Sequence, residues 1–391
     1  LNFSACNTPE PIDQDGTMLW LANGRSYEEV LGSVETRIDS ALSKEEYHIY
    51  NADGKRYIDG GSQAAIRYGV YALQRAEVLG KANTALDIHE KPYYEYRILN
   101  HWDNLDDTVE RGYAGLSMWE WTAKEIPAKR IHHYGELCAS VGLNGAVLNN
   151  VNANPLILDK EHIERVAQIA NILREYGITT YLSIKWTSPI TLDGLKSGDP
   201  LDPKVRQWWK NKASEIYAAI PDFGGFLVKA NSEGQAGPQD YGRTHADGAN
   251  MLAEAVAPYG GIIMWRAFVY SPSSSDRANQ AVEEFKSLDG QFADNVIIQI
   301  KNGPIDFQPR EPFSPLFGQL YNTPMMMEFQ ITQEYLGFSN HLVYHGTTYE
   351  ECLDSDTYRD GKGSTVAKMV KAIAGVANTG QDPNFCGYIF I

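Results

Sequence analysis

Residues 179–230, TTYLSIKWTSPITLDGLKSGDPLDPKVRQWWKNKASEIYAAIPDFGGFLVKA, have the pattern of a strand, a helix and a second strand. The two ends, 179–186 and 224–230, are short apolar runs of strand length. Asp202 followed by Pro203 is a helix-start signal, and apolar residues recur behind it at helical spacing. Two neighbouring parallel strands need a crossover of this kind to join them. The stretch therefore predicts a β-α-β unit of a parallel sheet.

The same alternation of apolar strands and amphipathic helices covers most of the chain. The predicted strands are 96–102, 145–150, 179–186, 224–230, 261–268, 295–301, 325–332 and 385–391. Eight parallel strands with helices between them are the number that closes a (β/α)8 TIM barrel. We therefore predict an α/β fold with the barrel at 93–391, preceded by a smaller α/β N-terminal domain at 1–92. Pro92 marks the boundary.

Composition excludes several classes of partner. The formal net charge of the 391 residues is -16 and no long basic run is present, which argues against binding to nucleic acid. No apolar run reaches the roughly 20 residues of a membrane-spanning helix. The four cysteines lack the spacing of a metal site, so neither a metal nor an organic cofactor is predicted. The first residues do not form a signal peptide, but the chain starts at Leu1 rather than methionine, which leaves its localisation open.

Polar side chains collect where the predicted strands end, which is the functional end of such barrels. These residues, with one tryptophan, are Trp102, Lys229, Glu233, Arg266, Lys301, Asp306 and Glu334. A pair of carboxyl groups on opposite sides of a sugar is what glycoside hydrolysis requires. The lysines and the arginine form a local group of cations in an acidic protein, which indicates a ligand that itself carries a carboxylate.

The sequence resembles family 67 of the glycoside hydrolases. The resemblance is carried by long blocks spread over residues 85–391, among them NHWDNLDDTVERGYAG (100–115), GGFLVKANSEGQAGPQDYG (224–242), MWRAFVY (264–270) and MEFQITQEYLG (327–337). It implies an α-glucuronidase of xylan degradation. Such an enzyme removes α-1,2-linked glucuronic acid, or its 4-O-methyl form, from xylooligosaccharides with inversion of configuration.

The resemblance also implies roles for single residues. The glutamate of the KANSEGQ block, Glu233, is the general acid. The aspartate of GPIDFQ and the glutamate of TQEY, Asp306 and Glu334, are the two alternatives for the general base. Lys229, Arg266 and Lys301 bind the uronate carboxylate. Trp102 is predicted to bind substrate from its position at the end of the first strand, and not from the resemblance.

The chain departs from the family pattern at both ends. Its N-terminal unit is shorter than expected, and the chain stops near the predicted eighth strand, without the helical C-terminal domain that helps the full-length protein form a homodimer. An inactive or merely carbohydrate-binding fragment is therefore the alternative to an active enzyme. A substrate-assisted hexosaminidase would need an adjacent Asp-Glu pair after the fourth strand, which NSEG (231–234) does not contain.

The three carboxylates have simpler alternatives. Glu233 could cap the helix that follows it, and Asp306 could pair with Arg310. Glu328 has the same strand parity as Glu334 but precedes it by six residues, about 20 Å along a strand. We therefore place Glu328 near the closed end of the barrel and favour Glu334.

The cations and the tryptophan also have structural alternatives. Lys229 and Lys301 could be ion-pair partners of the same carboxylates, and both roles are compatible. Trp102 could belong to the hydrophobic core, because tryptophans at strand ends are common in barrels.

Overall fold

The computed structural model describes residues 24–110, 115–231, 236–269, 276–304, 313–331 and 346–377. Two sheets organise these residues, a small one at the amino-terminal side and a closed barrel behind it. The small sheet has the strand order β1-β3-β2-β4, and two helices accompany it. Its elements are α1 (Tyr27–Leu31), β1 (Glu35–Ile38), β2 (Tyr47–Ala52), β3 (Lys55–Gly60), α2 (Gln63–Val78) and β4 (Asp87–Glu90).

The second sheet is an eight-stranded parallel barrel, as the sequence predicts. Its strands are β5 (Tyr96–His101), β6 (Gly145–Val147), β7 (Thr179–Ile184), β8 (Gly225–Val228), β9 (Ile262–Arg266), β10 (Val296–Lys301), β11 (Met325–Gln330) and β12 (Ala372–Ala377). Each strand pairs with the next, and β12 closes the circle against β5, with Ala372 opposite Tyr96. The eighth strand is therefore 372–377. The prediction of 385–391 for this strand is wrong, and those residues lie outside the described ranges.

Helices connect the barrel strands and cover the outside. They are α3 (Ala128–Ser140), α4 (Lys160–Glu175), α5 (Ser188–Asp193), α6 (Pro203–Ala219), α7 (His245–Val256), α8 (Gln280–Phe285), α9 (Gly346–Asp354) and α10 (Val366–Met369). The helix start predicted at Asp202 is confirmed, since its side chain accepts a hydrogen bond from the backbone of Lys204. Asp159 caps α4 in the same way, accepting from the backbone of His162. The apolar faces of α4 and α6 are buried against the strands.

One ion pair joins the small sheet to the barrel. Arg97, in β5, donates two hydrogen bonds to the carboxylate of Glu45, at 3.0 and 3.1 Å. Asn144, just before β6, donates to the same carboxylate at 3.2 Å. Both partners of Glu45 lie at the amino end of barrel strands. The small sheet therefore packs at the end of the barrel opposite the predicted functional end.

The interior of the barrel is built from layers of inward side chains. In barrels of this type, alternate strands contribute the four side chains of one layer, and the strand register assigns the members. A lower layer consists of Ile98, Tyr181, Met264 and Met326, and the next of Val147, Leu227, Gln299 and Ala374. Apart from Gln299, these residues belong to the inner hydrophobic cluster. Outward side chains of the same strands belong to a second cluster under the helices.

Candidate active site

Above the apolar layers, the barrel interior becomes polar. The register puts Asn100, Ser183, Arg266 and Glu328 into one layer, from β5, β7, β9 and β11. We call these four residues the polar layer. The layer above it contains Asn149, Lys229, Lys301 and Val376. The polar side chains therefore collect at the carboxyl end of the barrel, where the βα loops of this fold form active sites.

The three predicted cations come from neighbouring strands. Lys229 follows β8, Arg266 ends β9 and Lys301 ends β10, and these strands are adjacent in the barrel. Lys229 donates to Asn152 Oδ1 at 3.2 Å, and its ammonium lies 5.0 Å from the ring centre of Phe268. The strand register places the three residues in two successive layers of the barrel interior. Their role towards a ligand stays a prediction.

Arg266 and Glu328 form a buried ion pair across the polar layer. Arg266 Nε donates to Glu328 Oε2 at 2.7 Å, and Nη2 donates to Oε1 at 2.6 Å. Gln299, one layer below, donates from Nε2 to Glu328 Oε2 at 2.6 Å. Glu328 is 0% exposed and Arg266 is 7% exposed. Two parallel hydrogen bonds of this kind fix the plane of the guanidinium as well as its position.

The position predicted for Glu328 is wrong. Glu328 is paired in register with Lys301, the last residue of β10, so it lies at the functional end of the barrel rather than at the closed end. The error arose because Glu328 was placed by its distance along the chain from Glu334. Its contacts with Arg266 and Gln299 occupy both carboxylate oxygens.

Trp102 lies beside this site, directly after β5 and across the barrel from β9. It is 6% exposed and belongs to the inner hydrophobic cluster. Its carbonyl oxygen accepts hydrogen bonds from the backbone of Glu110, at 2.8 Å, and from Asn150 Nδ2, at 3.3 Å. These contacts fit the core interpretation of Trp102. Contact with a sugar stays a prediction.

Asp103, the next residue, is a fully buried carboxyl group. Its Oδ1 accepts hydrogen bonds from Ser117 Oγ, at 2.6 Å, and from the backbone of Met118, at 3.0 Å. Burial raises the pKa of Asp103 to about 7, because the cost of desolvating the charge exceeds the effect of these hydrogen bonds. Asp103 is therefore a group that changes charge near neutral pH at the rim of the barrel.

His101, two residues earlier, is its neighbour. Nε2 lies 2.7 Å from the hydroxyl of Tyr134, and Nδ1 lies 3.7 Å from Asp103 Oδ2. Burial lowers the pKa of His101 to about 3, whereas that of Asp103 is about 7. Between these values both groups are neutral, so their contact is not an ion pair. The cluster instead holds residues 117–119 to the end of β5.

The three predicted catalytic carboxylates, Glu233, Asp306 and Glu334, lie outside the described residues. The chain does turn sharply before the first of them. Asn231, two residues before Glu233, has a positive φ of 51°, a backbone conformation that asparagine tolerates better than most residues. This turn ends the extended segment that carries Lys229.

Two further observations concern the described ranges only. They contain no group of three or more histidine, cysteine, aspartate and glutamate side chains arranged to hold a metal ion. No helix within them has the length and apolar character needed to cross a membrane.

The sequence interpretation missed three polar residues at this site, Asn100, Ser183 and Gln299, and misplaced a fourth, Glu328. The signal was present. Each is a polar residue with the same strand parity as inward-facing apolar neighbours. Both amide atoms of Asn100, Ser183 Oγ and Gln299 Oε1 are buried and have no hydrogen-bond partner in the described structure.

Comparison with known proteins assigns the fold to a family. The family model named Glycosyl hydrolase family 67 middle domain matches residues 77–385. The chain belongs to glycoside hydrolase family 67.

Family 67 relatives are similar over most of this chain. It is 43% identical over 364 residues to a protein named probable alpha-glucuronidase A from Aspergillus clavatus, which covers 88% of this chain and 43% of the relative. It is 44% identical over 364 residues to alpha-glucuronidase A from Emericella nidulans, with 87% of this chain and 43% of the relative covered. This family 67 chain therefore spans less than half the length of these relatives.

Solved structures share the architecture at low identity. A β-N-acetylhexosaminidase from Bacteroides fragilis superposes with a TM-score of 0.56 at 11% identity, covering 90% of this chain and 75% of that protein. A family GH115 4-O-methyl-α-glucuronidase gives a TM-score of 0.53 at 12% identity, with 89% and 47% covered. At such identities the likeness concerns the fold alone.

Proposed function

We propose that this chain carries the catalytic barrel of an inverting α-glucuronidase. The substrate is a xylooligosaccharide, from whose non-reducing end the enzyme removes α-1,2-linked glucuronic acid or its 4-O-methyl form. Membership of family 67 and the names of the two fungal relatives support the reaction type. Dimerisation of the full-length protein is part of the same proposal and rests on the family resemblance alone.

The observation that carries the proposal is the set of cations on β8, β9 and β10. In a chain with a formal net charge of -16, Lys229, Arg266 and Lys301 lie on neighbouring strands at the functional end of the barrel. Glu328 is the partner of Arg266 in a buried ion pair. A substrate carboxylate provides the charge that this arrangement fits. A neutral sugar would not account for three cations on neighbouring strands there.

The proposed chemistry divides the work between two carboxyl groups. Glu233, protonated, donates its proton to the glycosidic oxygen as the bond between sugar and oxygen breaks. Asp306 or Glu334, ionised, accepts a proton from a water molecule that attacks the anomeric carbon from the opposite face. One water is consumed and the configuration is inverted. The acid and the base must then be separated by roughly 6.5 to 9.5 Å, to leave room for the water.

Lys229 has a second role in this scheme. It precedes Glu233 by four residues and leaves the same strand. A nearby ammonium would favour ionisation of the acid, which must stay protonated until it reacts. The uronate carboxylate neutralises that ammonium when the substrate binds. Substrate binding therefore helps to keep the catalytic proton in place.

The test is turnover of an aldouronic oligosaccharide by the 391-residue chain, followed by proton NMR of the first product. We expect the β-anomer of glucuronic acid to form before mutarotation. Release of the α-anomer would contradict inversion. Binding of the oligosaccharide without turnover would favour the alternative, a carbohydrate-binding fragment.

The acid is tested by Glu233→Gln on two substrates. Cleavage of the xylose-linked substrate should be abolished, since its leaving group needs a proton. An activated aryl glucuronide needs none and should keep much of its rate. Equal losses on both substrates would show that Glu233 is not the acid.

A further inference from the structure

We propose that Glu328 is a positioning residue, which holds the guanidinium of Arg266 in the orientation that receives the substrate carboxylate. The inference rests on the proposed function for the identity of the ligand. It concerns a residue that contacts Arg266 rather than the reacting atoms. The geometry of the ion pair supports it independently of any ligand.

The first support is the number of constraints on the two side chains. Arg266 uses Nε and Nη2 for Glu328, at 2.7 and 2.6 Å. Glu328 is in turn held by Gln299 at 2.6 Å, from a strand that lies between the two partners. An arginine side chain has several rotatable bonds. Each bond whose rotation is already restricted before the ligand binds lowers the entropy cost of binding. The guanidinium is therefore preorganised.

The second support is direction. Because Glu328 engages both Nε and Nη2, it fixes the plane of the guanidinium and the direction in which its remaining N–H bonds point. The two lysines, Lys229 and Lys301, lie one layer higher on the strands that flank β9. The orientation imposed by Glu328 thus decides which edge of Arg266 is presented to a ligand held by the lysines.

The third support is electrostatic. A buried ion pair can often be replaced by apolar residues of similar volume without loss of stability, so its presence is weak evidence for a stabilising role. Here the pair lies directly beneath two further cations, and the carboxylate of Glu328 reduces the repulsion among the three. A charged pair at this depth is explained if Glu328 positions Arg266 to bind an anion together with the two lysines.

The main test is Glu328→Gln, which preserves the shape of the side chain but places an amide donor against either Arg266 or Gln299. We expect kcat/KM for the aldouronic substrate to fall roughly 10- to 100-fold, mainly through KM, the size expected for weakening charge-assisted hydrogen bonds. The neutral methyl ester of the substrate should change by less than about threefold. Adding Glu328→Gln to an Arg266→Gln chain should have little further effect.

A second measurement does not depend on turnover. The side-chain Nε–H proton of Arg266, observed by nitrogen-15 NMR, should exchange slowly with solvent in the unsubstituted chain and much faster in Glu328→Gln. The matched control is Glu254→Gln, which removes a carboxylate that pairs with Arg206 on the outer surface. That variant should leave the Arg266 signal unchanged.

The outcomes separate the inference from the proposed function. An unchanged Arg266 signal in Glu328→Gln, or equal losses of activity on the charged substrate and its ester, would overturn the positioning role. If the unsubstituted chain turns over the ester as well as the acid, the proposed uronate site fails even when the Arg266 signal responds. Should Glu328→Gln not fold, Gln299→Met removes only the donor to Glu328, and a smaller change in the same direction is expected.

Discussion

The side chain of Asn149 forms two hydrogen bonds with the backbone of Ser183. It donates to the carbonyl oxygen of Ser183 at 3.0 Å and accepts from its amide nitrogen at 2.9 Å. Asn149 follows β6, whose last residue paired with β7 is Val147, opposite Tyr181. The asparagine therefore continues the pairing of β6 and β7 with its side chain, where the polar layer begins.

The first prediction follows from this contact. Asn149→Ala should lower the free energy of unfolding by about 2–4 kcal/mol, since two buried backbone groups lose their partner. When ionised, the carboxylate of Asn149→Asp keeps the acceptor and loses the donor. At low pH it is protonated and can donate again, so the effect of this substitution should be smaller there. Urea unfolding measures both. Asn171→Ala, on the exposed side of α4, is the control and should change stability by less than about 0.5 kcal/mol; similar losses in both positions would contradict the prediction.

The second prediction concerns Arg266→Ala. Under the proposed function this variant should raise KM for the charged substrate by an amount equivalent to about 2–4 kcal/mol. It should also lower the free energy of unfolding by about 3–5 kcal/mol, because Glu328 is left buried without its partner. Kinetics with the neutral methyl ester separates the two effects. An unchanged KM for the charged substrate would contradict the proposal that these cations bind the substrate carboxylate.

The third prediction is a pH dependence of stability that comes from Asp103. Its pKa in the folded chain is about 7, compared with an ordinary 3.8, so between these values the folded chain holds a proton that the unfolded chain releases. The contribution of Asp103 to the free energy of unfolding should therefore fall as pH rises from about 4 to 7. His101 has the opposite effect, since its pKa is lowered from 6.5 to about 3 and stability is lost as pH falls through that range.

Asp103→Asn isolates the first of these effects. His101 titrates in both chains, so the difference in unfolding free energy between the unsubstituted chain and the variant should decrease as pH rises from about 4 to 7 and level off above that. Urea unfolding at several pH values provides the measurement. Two parallel curves would mean that Asp103 is ionised in the folded chain throughout this range.

The fourth prediction concerns Gly225, the first residue of β8. Its φ is +127°, and a Cβ added there would lie 1.9 Å from the carbonyl oxygen of Ile262. Gly225→Ala should destabilise the chain by about 3–5 kcal/mol, through backbone strain and displacement of β9. The control is Gly54→Ala, which also has a positive φ, of +74°, but open space around the added atom. It should cost only about 1 kcal/mol, and equal effects would show that the close approach is tolerated.

The fifth prediction is a bound water in the polar layer. Buried amide and hydroxyl groups almost always have hydrogen-bond partners, including ordered water. Both amide atoms of Asn100 and the hydroxyl of Ser183 have none in the described part of the chain. A high-resolution crystal structure should show density for water bonded to Asn100, and Asn100→Leu should displace it. The absence of water density next to Asn100 would contradict the prediction.

The barrel could be predicted because most of its strands are strongly apolar runs between well-marked helices. β7 and β10 are examples, with sequences TTYLSI and VIIQIK. β12 escaped prediction because its sequence, AIAGVA, is made mostly of small residues. The layers give the physical reason: Ala372 and Ala374 face a barrel interior that Met264 and Met326 fill, so the strand needs little volume of its own.

The site was predictable at the level of residue types but not of contacts. The three cations follow from their positions at strand ends, whereas the pairing of Arg266 with Glu328 depends on a register that a single sequence does not reveal. The roles of Glu233, Asp306 and Glu334 stay predictions, as does the domain boundary at residue 92.

Closure of the barrel between β5 and β12 has a consequence for synthesis of the chain. The strands of the small sheet lie within 35–90 and can pair as soon as that segment leaves the ribosome. β5 gains its neighbour β6 early, but its other edge must wait until 372–377 has emerged. At a translation rate of about 5–20 residues per second, the nascent barrel exposes an unpaired apolar strand edge for many seconds. We therefore expect β5 to be a binding site for chaperones that act during translation.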